Sequence, residues 1–149
     1  MEEKISGKIL VEFAGDYYIL CFTDNRLIYF YIEDPRYSPI KYKNPYLLMR
    51  QDEIILKKIK DIEETEKDLG KFIESHKKNF IINYNSIEEV KFGIFTFDIR
   101  LYEKHPSSII GKKLSFSWRY GEQEKAIDLF MRFLPTKTIA KKKDDKKSL

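Results

Sequence analysis

Residues Gly15–Ile32 read G-D-Y-Y-I-L-C-F-T-D-N-R-L-I-Y-F-Y-I. Two runs of Tyr, Phe, Ile and Leu flank one polar corner, Thr23-Asp24-Asn25-Arg26. Aromatic and β-branched side chains suit a pleated, packed surface, so two such runs around a polar break predict a β-hairpin. The second run is apolar on both faces, with Leu27, Tyr29 and Tyr31 on one and Ile28, Phe30 and Ile32 on the other. That pattern belongs to a central strand.

Working outward, residues 8–14 set Ile9, Val11 and Phe13 against Lys8, Leu10 and Glu12, and Gly15-Asp16 supplies a turn. Beyond the hairpin, Pro35, Pro39 and Pro45 interrupt residues 33–45. Proline at that density removes ladder donors and halts both strand and helix, so a loop is expected. From Tyr46 to about Ser75 the period becomes helical. Leu48, Ile55, Ile59, Ile62, Leu69 and Ile73 form a near-heptad stripe, with Glu66 in the one missing position. This stripe fits two outcomes: packing on the chain's own sheet, or self-association with a second copy. A buried Glu66 would oppose a perfect coiled coil.

The β pattern then resumes. Asn79–Tyr84 places Phe80, Ile82 and Tyr84 on one face, and Ile87–Phe95 sets Val90, Phe92 and Ile94 against Glu89 and Lys91. Phe97–Glu103 points Phe97, Ile99 and Leu101 inward. Lys113–Arg119 does the same with Leu114, Phe116 and Trp118. Glu122–Leu134 is an amphipathic helix with Ala126, Ile127, Phe130, Phe133 and Leu134 on its apolar face, stopped by Pro135. Seven antiparallel strands and a last helix predict a mainly β, α+β fold, in which the sheet closes on itself and the helix stoppers one end.

Composition agrees with one domain. The chain has 149 residues, 42% of them hydrophobic and 15% aromatic, enough for a full core. The Lys-, Glu-, Ile- and Tyr-rich bias is one met in hyperthermophile proteins. Of the net charge of +4, the last nine residues, K-K-K-D-D-K-K-S-L, carry +3 with five Lys and two Asp, which leaves the body close to neutral. At about 1 kcal/mol per Lys near an anionic membrane, that tail contributes roughly 3 kcal/mol. A millimolar complex needs about 4 kcal/mol, so the tail assists binding without anchoring the chain. The single Cys21 excludes a disulfide framework and reads as a small buried hydrophobe. With no apolar leader and no run approaching the ~20 residues of a membrane span, a cytoplasmic location is expected.

Several segments resemble the prokaryotic pleckstrin-homology-like family. T-D-N-R-L-I-Y at 23–29 is similar to the family's T-x-x-R-hydrophobic corner between second and third strands. I-I-N-Y-N-S-I-E-E-V-K-F at 81–92 is similar to its I-P-Y-x-x-I-x-x-V segment, with Asn83 where proline is common, and A-I-D-L-F-M-R-F-L at 126–134 to its closing helix. The resemblance covers roughly residues 8–34 and 79–134. It implies a seven-stranded antiparallel barrel or sandwich over residues 1–135, capped by the C-terminal helix. A long helical insertion at about 46–76 would lie between the third and fourth strands, and a basic, disordered tail would span 136–149.

The resemblance also implies a non-catalytic module that binds a protein or peptide, with self-association through the inserted helix as one route. Ile55, Ile59, Ile62 and Leu69 are the candidates on the stripe. Anionic lipid or nucleic acid is the alternative partner, met by Arg36, Tyr37, Lys41, Tyr42 and Lys43 of the 36–46 loop together with the tail, since aromatics between cations can stack bases while the charges hold phosphate. In the family's eukaryotic branch, basic residues flanking the loop after the first strand hold phosphoinositide headgroups. Here that loop is F-A-G-D-Y-Y, with Asp16 and no cation between Phe13 and Tyr18, so a headgroup is not expected there. An enzyme is the third reading. His76 and His105 lack partners at metal-ligand spacing, no serine sits in a G-x-S-x-G elbow, and the scattered glycines form no phosphate loop, so no metal or cofactor is expected.

Overall fold

A computed structural model describes residues 3–32, 56–64, 68–106, 111–118 and 122–140. The strands are β1 (Gly7–Phe13), β2 (Asp16–Phe22), β3 (Arg26–Tyr31), β4 (Phe80–Asn83), β5 (Ile87–Phe92), β6 (Thr96–Leu101), β7 (Lys113–Trp118) and β8 (Thr138–Ala140). Helical segments are α1 (56–64), α2 (Leu69–Glu74) and α3 (Gln123–Phe133), with a 3-10 turn at Tyr84–Ser86. The fold is thus α+β and mainly β. One sheet of eight strands runs β4-β3-β2-β1-β7-β6-β5-β8, antiparallel throughout except for the β5–β8 pair.

The sheet is bent. β1 and β4 stand three steps apart in it, about 14 Å if it were flat. Yet the rings of Phe13 and Phe80 lie 5.7 Å apart. Bending brings the inner residues of β1–β4 onto those of β5–β7, and Ala126, Leu129, Phe130 and Leu134 of α3 and its cap complete a single core. Gly7 lets the helix sit down, because a Cβ there would run into the Leu129 side chain.

The expected closed barrel does not form; the sheet stays open. The edge of β5 that β4 would need is occupied by β8, through pairs from Val90–Thr138 to Phe92–Ala140. The disordered tail expected from 136 is ordered as far as Ala140. Its polar look hides a cap: the Thr138 hydroxyl reaches the Leu134 carbonyl at 2.7 Å, near the end of α3. The open side of β4 meets the 102–106 loop instead, where His105 Nε2 lies 3.0 Å from the Ile81 carbonyl.

A second apolar cluster covers the outer face of β1–β4. It joins Leu10, Ile19, Cys21, Ile28, Phe30 and Ile32 to Ile62 of α1 and Leu69 of α2. This explains why β3 is apolar on both sides. It also shows where the stripe goes: Ile62 and Leu69 are buried within the chain, and Ile59 packs half-buried against the same cluster. The single helix expected over 46–76 is not continuous, because Asp68 leaves helical geometry (φ −137°, ψ 54°) before α2. Among the described residues, two helical pieces rather than one straight rod follow the curved face. Ile55, Glu66 and the part of the insertion before residue 56 lie outside the described residues, as does the Trp118 side chain.

Candidate functional site

A groove of about 530 Å³ opens between the start of β1, α1 and the N-terminal end of α3. Its apolar lining comes from Ile9, Leu10, Ile19 and Ile59, and its charged lining from Lys8, Glu63, Glu122 and Lys125. The floor follows from strand alternation, which turns Leu10 and Ile19 to the same outer face. Lys8 Nζ and Glu63 Oε1 stand 3.4 Å apart, tying β1 to α1 across the groove. Glu122 is the N-cap position of α3, and its side chain does not cap the helix. Its Oε2 is buried with no hydrogen-bond donor among the described residues. A buried carboxylate oxygen without a donor is costly, and a Lys, Arg or N–H group brought by a ligand would satisfy it.

The chemistry of this groove is recognition of apolar surface and of charge. Ser6 is the hydroxyl in its lining, and neither histidine lines it. His105 sits against Phe80 and His76 against Tyr31, away from Ser6. Among the described residues no group of three or more His, Cys, Asp or Glu is placed to hold a metal ion. No described helix is long and apolar enough to cross a membrane.

The T-D-N-R corner serves a different purpose. Thr23 is fully buried, and its Oγ1 accepts the Arg26 N–H at 3.1 Å. The Arg26 guanidinium grips Glu3, with Nη2 2.8 Å from Oε1 and Nε 3.1 Å from Oε2. Burial raises the Glu3 carboxyl pKa, but hydrogen bonds from Arg26 and Thr23 outweigh it and hold the group below its ordinary value. The Tyr84 hydroxyl donates to the Thr23 carbonyl, and Lys137 Nζ to the Tyr84 carbonyl at 3.0 Å. The corner therefore ties the N-terminal arm, the β2–β3 turn and the approach to β8 together.

At the β1–β2 turn, Asp16 Oδ2 is paired with Lys78 Nζ at 3.1 Å, and the same ammonium lies 4.7 Å from the centre of the Tyr31 ring. The hydrogen bond that Lys78 donates to Asp16 chiefly raises the Lys78 pKa. Thus a cation does reach this turn from far along the chain, which the local sequence could not show.

Of the candidate interaction residues that fall among the described ones, Ile59 lines the groove, while Ile62 and Leu69 do not. Arg36, Tyr37, Lys41, Tyr42 and Lys43 lie outside the described residues. Lys8, Glu63, Glu122 and Lys125 were missed. Lys8 reads as the polar side of a half-buried strand and the other three as solvated surface, and only folding brings the three elements together. Comparison with known proteins adds no relative: no family model, no curated protein and no solved structure matches the chain.

Proposed function

We propose that this chain is a non-catalytic binding module on a pleckstrin-homology-like plan, and that it seats a peptide segment of a protein partner in the β1–α1–α3 groove. The strand sequence and the helix packed last on the bent sheet support that plan. The observation that carries the binding site is Glu122 Oε2, buried and without a donor among the described residues, beside an apolar floor. An amphipathic segment with a basic residue meets both needs, its apolar side chains covering Ile59 and Ile9 and its cation answering Glu122. Lys8 and Lys125 leave room for an acidic residue at the rim.

Panning a random peptide library on the full chain tests this reading. Enriched peptides combine apolar residues with Lys or Arg, and Glu122→Lys weakens them about tenfold or more by placing like charges together. No enrichment over a blank surface, or enrichment that Glu122→Lys leaves unchanged, overturns it.

A further inference from the structure

We infer that the segment seated in the β1–α1–α3 groove is an extended stretch of about three residues, one basic, one apolar and one acidic, with Glu122 taking the basic side chain and Lys125 the acidic one. This rests on the peptide reading of the groove and adds the peptide's backbone shape and the spacing of its charges. The shape follows from volume. An extended chain fills about 160 Å³ per residue, from a strand spacing of about 4.8 Å, a layer spacing of about 10 Å and a rise of about 3.4 Å. The groove of about 530 Å³ therefore holds about three such residues. An α-helix about 11 Å across fills roughly 510 Å³ per turn of about 5.4 Å, so a helix would be seated by one turn only. A single turn does not hold itself together in water.

The charge spacing follows from the walls. On the β1–α1 side Lys8 and Glu63 neutralise each other at 3.4 Å, so that wall asks for no further charge. On the α3 side Glu122 and Lys125 both line the groove, one helical turn apart. Among the described residues neither side chain has a hydrogen-bond or ion-pair partner. Residues three apart on a helix stand about 5–6 Å apart at Cβ. Alternate residues of an extended segment share a face and stand about 6.8 Å apart. A basic and an acidic residue two positions apart therefore meet Glu122 and Lys125 together. The residue between them turns to the opposite side, toward the lining of Ile9, Leu10 and Ile59, where an apolar side chain fits. Glu122 carries more of the selection, because its Oε2 is buried and a charge-assisted bond there displaces none to water. Lys125 is exposed and sets a milder preference.

Panning a random peptide library on the full chain and on its Lys125→Glu variant tests the inference, with affinities read by fluorescence anisotropy. Peptides enriched on the full chain carry Lys or Arg and Asp or Glu two positions apart, with an apolar residue between. Changing their acidic residue to Lys weakens binding to the parent about three- to fivefold, and strengthens binding to Lys125→Glu. Lys125→Ala removes the preference without reversing it. Lys125 is exposed, so both variants unfold within a few degrees of the parent, which keeps lost binding apart from lost folding. Absence of any enrichment overturns the peptide reading of the groove, and the inference with it. Enriched peptides whose basic residue has no acidic residue two positions away overturn the inference alone. So does a helical spacing of the two charges, three or four residues apart, or a preference for the acidic residue that Lys125→Glu leaves unchanged.

Discussion

The ring of Tyr29 stacks on the ring of Phe116, with centroids 4.9 Å apart and planes 15° from parallel. β3 and β7 are three strands apart in the sheet, so this contact exists only because the sheet folds over. The Tyr29 hydroxyl is buried without a hydrogen-bond partner among the described residues. Tyr29→Phe should thus leave stability unchanged or raise it by up to about 1 kcal/mol, whereas Phe116→Ala should cost about 3–5 kcal/mol. Urea unfolding of both variants checks this. A loss above about 1 kcal/mol in Tyr29→Phe would mean that the hydroxyl does have a partner.

Alkaline stability follows from three tyrosines. Burial, then the Asp16 charge, pushes Tyr18 up to about 12. Burial likewise raises Tyr29 and Tyr84 well above the ordinary 10.0. Folding holds all three protonated, so their contribution is complete below pH 10 and is lost as pH rises through the folded values. Ultraviolet titration of the phenols should show these three ionising together with unfolding, after the exposed ones. Ionisation of all ten tyrosines near pH 10 in a folded chain contradicts it.

At acid pH the sign reverses for Glu3. Its carboxyl lies below 4.5 in the fold, so the stability it adds is present above the unfolded value and fades as pH falls through the folded one. Glu3→Gln should flatten the acid limb of the stability curve and cost about 1 kcal/mol or less at neutral pH. An unchanged acid limb would show that the arm is not held by this pair.

Ala14 and Gly15 close the β1–β2 hairpin with φ of 52° and 85°. Positive φ at both central positions suits a right-twisted hairpin, but alanine is strained there. Ala14→Asn should stabilise the chain by about 0.5–1 kcal/mol in thermal or urea unfolding. A destabilised variant would argue against this turn.

Ile62 is fully buried between α1 and the outer face of the sheet. Ile62→Ala should cost about 2–4 kcal/mol of folding stability while leaving the mass of the folded particle unchanged in light scattering. A halved mass with intact stability would return the stripe to an interface role.

Most strands were legible because alternation at Ile9, Val11 and Phe13, or at Phe97, Ile99 and Leu101, reports directly which side chains avoid water. Ile94 was misread as a further inward residue of β5, since hydrophobicity alone does not distinguish a strand from an apolar turn. Of the groove's lining, Ile59 is the residue that the sequence marks as an interaction candidate. Lys8, Glu63 and Glu122 are ordinary surface charges until packing brings their elements together.

The linear pattern by itself determined the strand segments, the closing helix and the doubly apolar β3, because each is a local periodicity along one stretch of backbone. Tertiary structure alone decided that Ile59, Ile62 and Leu69 of the inserted stripe lie on the chain's own sheet, that β8 takes the edge a barrel would need, and that Ile94 and Phe95 stand exposed at the β5–β6 turn. Those outcomes depend on which distant segments compete for one face or one edge, and a competition among separated partners leaves no repeat in the order of residues.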